Sequence, residues 1–265
     1  MEKSQTVQKL CKTAANMYRL GWHERNAGNV SVMLDEPDYA PLKSAKVIRQ
    51  IPLNFSTALA GKYFLVTGTG KYFKNFEADP EANLGIMRIE QDGKTASLLW
   101  GYSDGGKPTS EFSAHLLSHE ARLSVNPANR VIMHGHPANI VAMSYVHDLD
   151  EAKFSKTLWQ MCFEAVLIFP EGLAVLPMML AGTNEIGKAT ADKMRSFKAV
   201  LWAMHGIFGS GATLDEAFGL IETAEKAAEI YLKTKGHSIV NLTTPQQLTA
   251  LCEFWGVKIN KGFLK

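Results

Sequence analysis

The chain has 265 residues, which permits one large α/β domain or two small ones, and 46% of them are hydrophobic, enough for a sizeable core. Its formal net charge is only +2 and its basic residues are not clustered, so nothing argues for a nucleic-acid partner. No apolar run approaches the ~18 residues that suggest a membrane span, no apolar signal core follows Met1-Glu2-Lys3-Ser4-Gln5, and the three well-separated cysteines, Cys11, Cys162 and Cys252, fit free thiols in a reducing cytoplasm.

Val7, Leu10, Cys11, Ala14, Met17 and Tyr18 recur at helical spacing, and Gly21 is a natural stop. Glu24-Arg25-Asn26-Ala27-Gly28-Asn29 then leads into an alternating strand from Val30 to Leu34. Asn and Gly tolerate positive φ, so ordinary turn chemistry accounts for Asn26, Gly28 and Asn29. An anion pocket of amides and backbone N–H groups is the functional alternative, and without context turn chemistry prevails. Residues 35–60 hold scattered Pro, Asp and Lys with no period and read as an excursion with a short helical turn. Lys62 to Thr67 is a strand that enters Gly68-Thr69-Gly70-Lys71, which lacks P-loop spacing but can present N–H groups to a phosphate. Strands from Leu84 to Glu90 and from Thr95 to Tyr102 flank Asp92-Gly93, a hairpin signal that argues against a wholly parallel sheet.

Pro108-Thr109-Ser110-Glu111 precedes an apolar-periodic run from Phe112 to Leu123. Thr109 or Ser110 suits an N-cap, which puts Glu111 in the first helical turn, and a helix start favours an anion beside Thr109 and Ser110. His115 and His119 share this helix at i and i+4, but the Glu of H-E-x-x-H is missing, and they read as packing residues near the core face. Val131-Ile132-Met133-His134-Gly135-His136-Pro137 reads as a buried strand whose two imidazoles point the same way, one pleat apart, and can converge on a cation. Ala138 to Val146 and Glu151 to Met161 are helical in pattern. Glu164 heads a strand from Ala165 to Phe169, as a solvated edge residue or an inward acid, and Leu173 to Leu176 is a further short strand. A helix from Thr183 to Arg195 leads to a buried strand from Lys198 to Met204, which ends in His205-Gly206. Gly206, Gly209 and Gly211 shape a loop, Thr213 caps a long helix to Lys235, and Thr244-Pro245-Gln246-Gln247 starts a last helix. No repeat, low-complexity tract or linker divides the chain, so residues 1–265 read as one domain. Three imidazoles, His134, His136 and His205, with the Glu111 carboxylate make a set that suits Zn²⁺ and leaves an exchangeable position.

Gly21-Trp22-His23-Glu24-Arg25-Asn26-Ala27-Gly28-Asn29, Val66-Thr67-Gly68-Thr69-Gly70-Lys71, Pro108-Thr109-Ser110-Glu111, His134-Gly135-His136, Glu164 and His205-Gly206-Ile207-Phe208-Gly209-Ser210-Gly211 together resemble the class II, zinc-dependent aldolases of the aldolase/adducin superfamily, over nearly the whole chain. The departures are small: Ala27 stands where the family often has Gly, and Thr69 where it often has Ser. The resemblance implies an α/β fold, a single α/β/α three-layer domain with a central, largely antiparallel β-sheet. It also implies a fourfold homotetramer with active sites near subunit interfaces. It implies reversible aldol cleavage of a sugar phosphate to dihydroxyacetone phosphate and an aldehyde, with one Zn²⁺ per chain held by His134, His136 and His205. Glu111 would be base and acid on the ketose side, and Glu164 would handle the proton on the aldehyde-side hydroxyl. Asn26, Gly28, Asn29, Thr69, Gly70, Thr109 and Ser110 would hold the phosphate. Fuculose-phosphate aldolases and pentulose-phosphate 4-epimerases share this metal chemistry. Adducin-like binding modules lack it and would lose the metal ligands that this chain retains.

Overall fold

The computed structural model describes residues 1–265. Nine strands, β1 (Asn29–Met33), β2 (Arg49–Pro52), β3 (Tyr63–Thr67), β4 (Leu84–Ile89), β5 (Thr95–Gly101), β6 (Val131–Gly135), β7 (Ala174–Leu176), β8 (Ala199–Trp202) and β9 (Gly206–Gly211), form one sheet in the order β2-β5-β4-β3-β1-β6-β9-β8-β7. Every neighbouring pair is antiparallel except β7 with β8. The helices are α1 (Gln5–Arg19), α4 (Phe112–Val125), α5 (Ala138–Val146), α6 (Glu151–Met161), α8 (Asn184–Met194), α9 (Leu214–Thr234) and α10 (Pro245–Phe254), with single turns α2 (Glu36–Tyr39), α3 (Pro80–Asn83) and α7 (Ala165–Ile168) between them.

Side-chain alternation along the strands divides the interior into two layers. Val30, Val32, Leu65, Val131, Met133, Ala199 and Leu201 face one way, into a large core shared with α1, α5, α6, α9 and α10. Phe64, Val66 and Met87 face the other way beneath α4, and Ile132, Val200, Trp202 and Phe208 do so beneath α4 and α8. The helix starts follow local chemistry: Thr183, Thr213 and Thr244 each accept a backbone N–H three residues on, and Thr244 and Gln247 complete a capping box.

Four expectations need correction. Within residues 35–60, Arg49–Pro52 forms the edge strand β2 on β5, and its half-exposed alternation is too short and too Pro-flanked to stand out. Ala165–Ile168 is a helical turn, not a strand. The run of four apolar residues is ambiguous by pattern, and burial of Ala165 and Val166 in the helical layer decides it. Gly206–Gly211 is a strand, not a loop. Its glycines let α9 lie close, because a Cβ on Gly209 would stand 2.8 Å from Ile221 Cγ1. Lastly, α4 begins at Phe112, so Glu111 is its N-cap residue and does not lie in its first turn.

A candidate metal centre at one end of the sheet

His134 is the penultimate residue of β6, buried between its neighbours β1 and β9, with its ring stacked on Phe208 at 4.4 Å. Its Nδ1 lies 3.1 Å from the Ile207 carbonyl oxygen, which can only accept, so the ring proton belongs on Nδ1 and Nε2 is bare. His136 follows the strand end, where its backbone N–H donates to the Trp22 carbonyl at 2.9 Å. Its Nδ1 lies 2.8 Å from Glu24 Oε1, which can only accept, so Nδ1 carries a proton and Nε2 faces the other rings. These two Nε2 atoms stand 3.2 Å apart. His205 lies in the three-residue connection between Trp202 and Gly206, which are themselves paired across β8 and β9. Met204 takes a left-handed φ of 65° there, and its N–H donates to Ser144 Oγ. One nitrogen from each of the three rings lies within 4.8 Å of the others. Burial first, then the neighbouring rings, hold His134 well below the usual imidazole range, and the same causes bring His205 down to about 4. These shifts favour neutral imidazoles at His134 and His205, the form that binds metal.

Glu111 places Oε2 3.6 Å from His134 Nε2. Burial raises its proton affinity, opposed by the hydrogen bond it accepts from Asn29 and by His136. The Nε2 atoms of His134 and His136 stand close enough that either a proton on His136 or a cation between the rings joins them. Three converging imidazole nitrogens with the Glu111 carboxylate alongside make a donor set that fits a divalent ion such as Zn²⁺.

Strand register gathers further residues here. Asn29 pairs with His134 across β1 and β6, and on the other side of β1 the Val30 N–H donates to Thr67 Oγ1. The turn after β3 then lies against the segment before α4: Gly68 bridges Pro108, the Thr69 N–H donates to the Lys107 carbonyl, and the Thr109 N–H donates to the Thr67 carbonyl. Gly28, Asn29, Thr69, Gly70, Thr109, Ser110 and Glu111 therefore lie on segments that run side by side near the histidines. Asn26, Thr69, Gly70 and Ser110 are exposed, whereas Thr109 is buried with its hydroxyl turned to the Glu111 N–H. Gly28 is left-handed at φ 71°, and a Cβ there would come 2.8 Å from the His134 carbonyl oxygen. The Asn29 side chain is committed within the protein: Nδ2 donates to Glu111 Oε2 at 2.8 Å, and Oδ1 accepts from His115 Nε2.

Glu164 is not part of this cluster. It is exposed beside α7, where its carboxylate accepts from Cys162 Sγ. The last residue of α7, Ile168, accepts through its carbonyl from Lys198, just before β8, whereas His205 follows the far end of that strand. Sequence reasoning missed Glu24, which orients His136, and gave His115 and His119 packing roles only. His115 Nδ1 and His119 Nε2 both reach Ser31 Oγ, at 2.7 and 2.8 Å. The i, i+4 spacing was visible, but the partner on β1 lies more than eighty residues away, so no local signal points to it.

The family described as Class II Aldolase and Adducin N-terminal domain matches residues 8–232. A rhamnulose-1-phosphate aldolase of Listeria monocytogenes is 52% identical over 261 residues, covering 97% of this chain and 96% of that protein. One of Enterococcus faecalis is 50% identical, with 98% and 94% covered. Among solved structures, a sugar-phosphate aldolase from Thermotoga maritima superposes with a TM-score of 0.78 at 30% identity, covering 89% of this chain and 98% of that one. An L-fuculose 1-phosphate aldolase shares the fold at a TM-score of 0.65 and 19% identity, with 97% and 98% covered.

Proposed function

Because the chain belongs to the class II aldolase and adducin N-terminal domain family, we propose that it is a rhamnulose-1-phosphate aldolase, acting as one domain over residues 1–265. It would reversibly cleave L-rhamnulose 1-phosphate into dihydroxyacetone phosphate and L-lactaldehyde. Identity near 50% along almost the whole chain to relatives of that name supports the substrate. The observation that carries the chemistry is the convergence of His134, His136 and His205, with the Nε2 atoms of the first two 3.2 Å apart and the Glu111 carboxylate beside them.

His134, His136 and His205 would hold one Zn²⁺ per chain. The bound cation supplies electrophilic stabilisation for the negative charge that develops on the ketose fragment as the C–C bond breaks. Glu111 holds and returns the proton at the carbon of dihydroxyacetone phosphate where that bond forms and breaks, and its burial-raised proton affinity suits this exchange. The Thr69, Thr109 and Ser110 hydroxyls, the Gly28 and Gly70 backbone and Asn26 hold the phosphate, and the start of α4 favours its charge. Asn29 contributes to that pocket through its second amide hydrogen, since the other faces Glu111. No lysine Schiff base is required.

Glu164 would serve the aldehyde-side hydroxyl from outside its own chain. It is exposed, and α7 approaches the end of β8 opposite His205, which suits a contribution to a neighbouring copy's site in a homotetramer. No helix is long and apolar enough to cross a membrane, and free thiols fit a cytoplasmic enzyme.

The test is cleavage of L-rhamnulose 1-phosphate, with and without a chelator and after zinc is restored, beside a panel of other ketose phosphates. Chelator-sensitive release of dihydroxyacetone phosphate, fastest from L-rhamnulose 1-phosphate, supports the reading. Faster cleavage of L-fuculose 1-phosphate, or epimerisation of a pentulose phosphate without cleavage, replaces it with another activity of the family.

A further inference from the structure

Glu111, His115 and His119 follow one another at four-residue steps along one face of the start of α4, while Asn29 and Ser31 lie two residues apart on the facing side of β1. One helical turn and two strand residues advance by similar lengths, ~6 and ~7 Å, so the two rows can mesh. They do, and the contacts alternate between helix and strand. Glu111 Oε2 meets Asn29 Nδ2 at 2.8 Å, and Asn29 Oδ1 meets His115 Nε2. His115 Nδ1 then meets Ser31 Oγ at 2.7 Å, and Ser31 Oγ meets His119 Nε2 at 2.8 Å. Glu111 and Asn29 are at most 7% exposed, and Ser31, His115 and His119 are fully buried, so no water competes for these bonds.

The chain has a direction, and its far end sets it. His119 Nδ1 is buried without a partner. A buried N–H without an acceptor is the rarer and costlier defect, so the single proton of this neutral ring belongs on Nε2, where it donates to Ser31. The Ser31 hydroxyl has one hydrogen, which must then go to His115 Nδ1. That forces the His115 proton onto Nε2, from which it donates to Asn29 Oδ1. The amide is thereby oriented with Nδ2 toward Glu111. Run the other way, the chain would bury an orphan N–H on His119 and turn Asn29 Oδ1 against the Glu111 carboxylate, acceptor against acceptor.

We propose that His119, Ser31, His115 and Asn29 are positioning residues that deliver a hydrogen-bond donor to Glu111 and hold its carboxylate in one orientation beside the metal ligands. The catalytic part of this inference rests on the proposed function of Glu111. The direction of the chain does not.

The test has two arms. In zinc-loaded protein labelled with ¹⁵N-histidine, long-range ¹H–¹⁵N spectra should show His115 and His119 as Nε2–H tautomers, with His136 protonated on Nδ1; a His115 ring protonated on Nδ1 overturns the proposal. In steady-state cleavage, Ser31→Ala should lower kcat on the order of tenfold while KM and zinc content hold. His115→Phe should lose at least as much, and His115→Gln, which restores a donor at the place of Nε2, should recover most of that loss. Wild-type kcat in folded Ser31→Ala, or equal loss in His115→Gln and His115→Phe, reduces the chain to packing and refutes the positioning role. If the wild-type enzyme cleaves no sugar phosphate, the functional reading fails, and the tautomer arm still decides the chain's direction.

Discussion

A single methyl group on β9 should separate metal binding from stability. In Gly206→Ala the new Cβ would stand 2.6 Å from the Gly135 carbonyl oxygen, 2.7 Å from His134 Cε1 and 2.7 Å from His136 Cδ2. All three are well inside van der Waals contact, and two of them are atoms of the ligand rings. The backbone carbonyl is held in the β6–β9 ladder, so the rings must give way. A shift of about 0.5 Å exceeds the ~0.2 Å tolerance of a zinc–nitrogen bond. Misoriented ligands cost about 10- to 100-fold in metal affinity, roughly 1.4–2.7 kcal/mol. Gly209→Ala supplies the control on the same strand. Its Cβ meets Ile221 Cγ1 at 2.8 Å and the Ala217 carbonyl at 3.2 Å, both on α9. Each variant should lose about 1–3 kcal/mol from overpacking, a few degrees in melting temperature for a chain of this size. Only Gly206→Ala should also bind zinc at least about tenfold more weakly in competition with a chromophoric chelator. Wild-type affinity in Gly206→Ala, or equal losses in the two variants, would refute the argument.

Alanine at His134, His136 or His205 should remove zinc and cleavage activity together, as read by elemental analysis beside a coupled assay; full zinc occupancy in any one variant removes that residue from the ligand set. Glu111→Gln should abolish solvent-deuterium uptake into dihydroxyacetone phosphate along with turnover, whereas Glu164→Gln should depress turnover and leave much of the uptake, both followed by NMR; equal loss of uptake in the two would end that division of labour. Burial brings the folded His115 imidazole down from 6.5 to about 3. The unfolded chain therefore takes up a proton that the folded state refuses, and the stability this preserves is whole above pH 6.5 and falls at about 1.4 kcal/mol per pH unit toward pH 3. Urea unfolding of His115→Gln across that range should show a shallower acid slope than the parent, and an unchanged slope would show that His115 does not contribute it.

The histidine set was legible because each ligand stands at the end of a buried apolar run, where a polar side chain is conspicuous. Glu111 was legible for a similar reason, beside a helix start. Hidden from sequence were the contacts made by strand register: Asn29 reads as turn chemistry until β1 is laid between β3 and β6, which puts it opposite His134. Gly206–Gly211 was misread because glycine signals a loop locally, and only the close approach of α9 makes it a requirement of the strand. The short apolar run after Glu164 gave no period to separate a strand from one helical turn, so the side of the molecule that Glu164 faces was lost with it.

The ordering of the sheet also determines how it stops. At one margin stands β2, four residues long and closed by Pro52, which has no N–H to donate; its Arg49 guanidinium is turned onto the carbonyls of Gly105 and Gly106. At the other margin stands β7, three residues long and fully buried. There Ser155 Oγ accepts the Leu173 N–H and a Glu151 carboxylate oxygen accepts the Val175 N–H, both from α6. At β7, side chains thus occupy main-chain donors that a foreign strand would use as a template. A four-residue strand closed by proline at one margin and a buried, side-chain-capped strand at the other both work against the edge-to-edge growth that leads to aggregation.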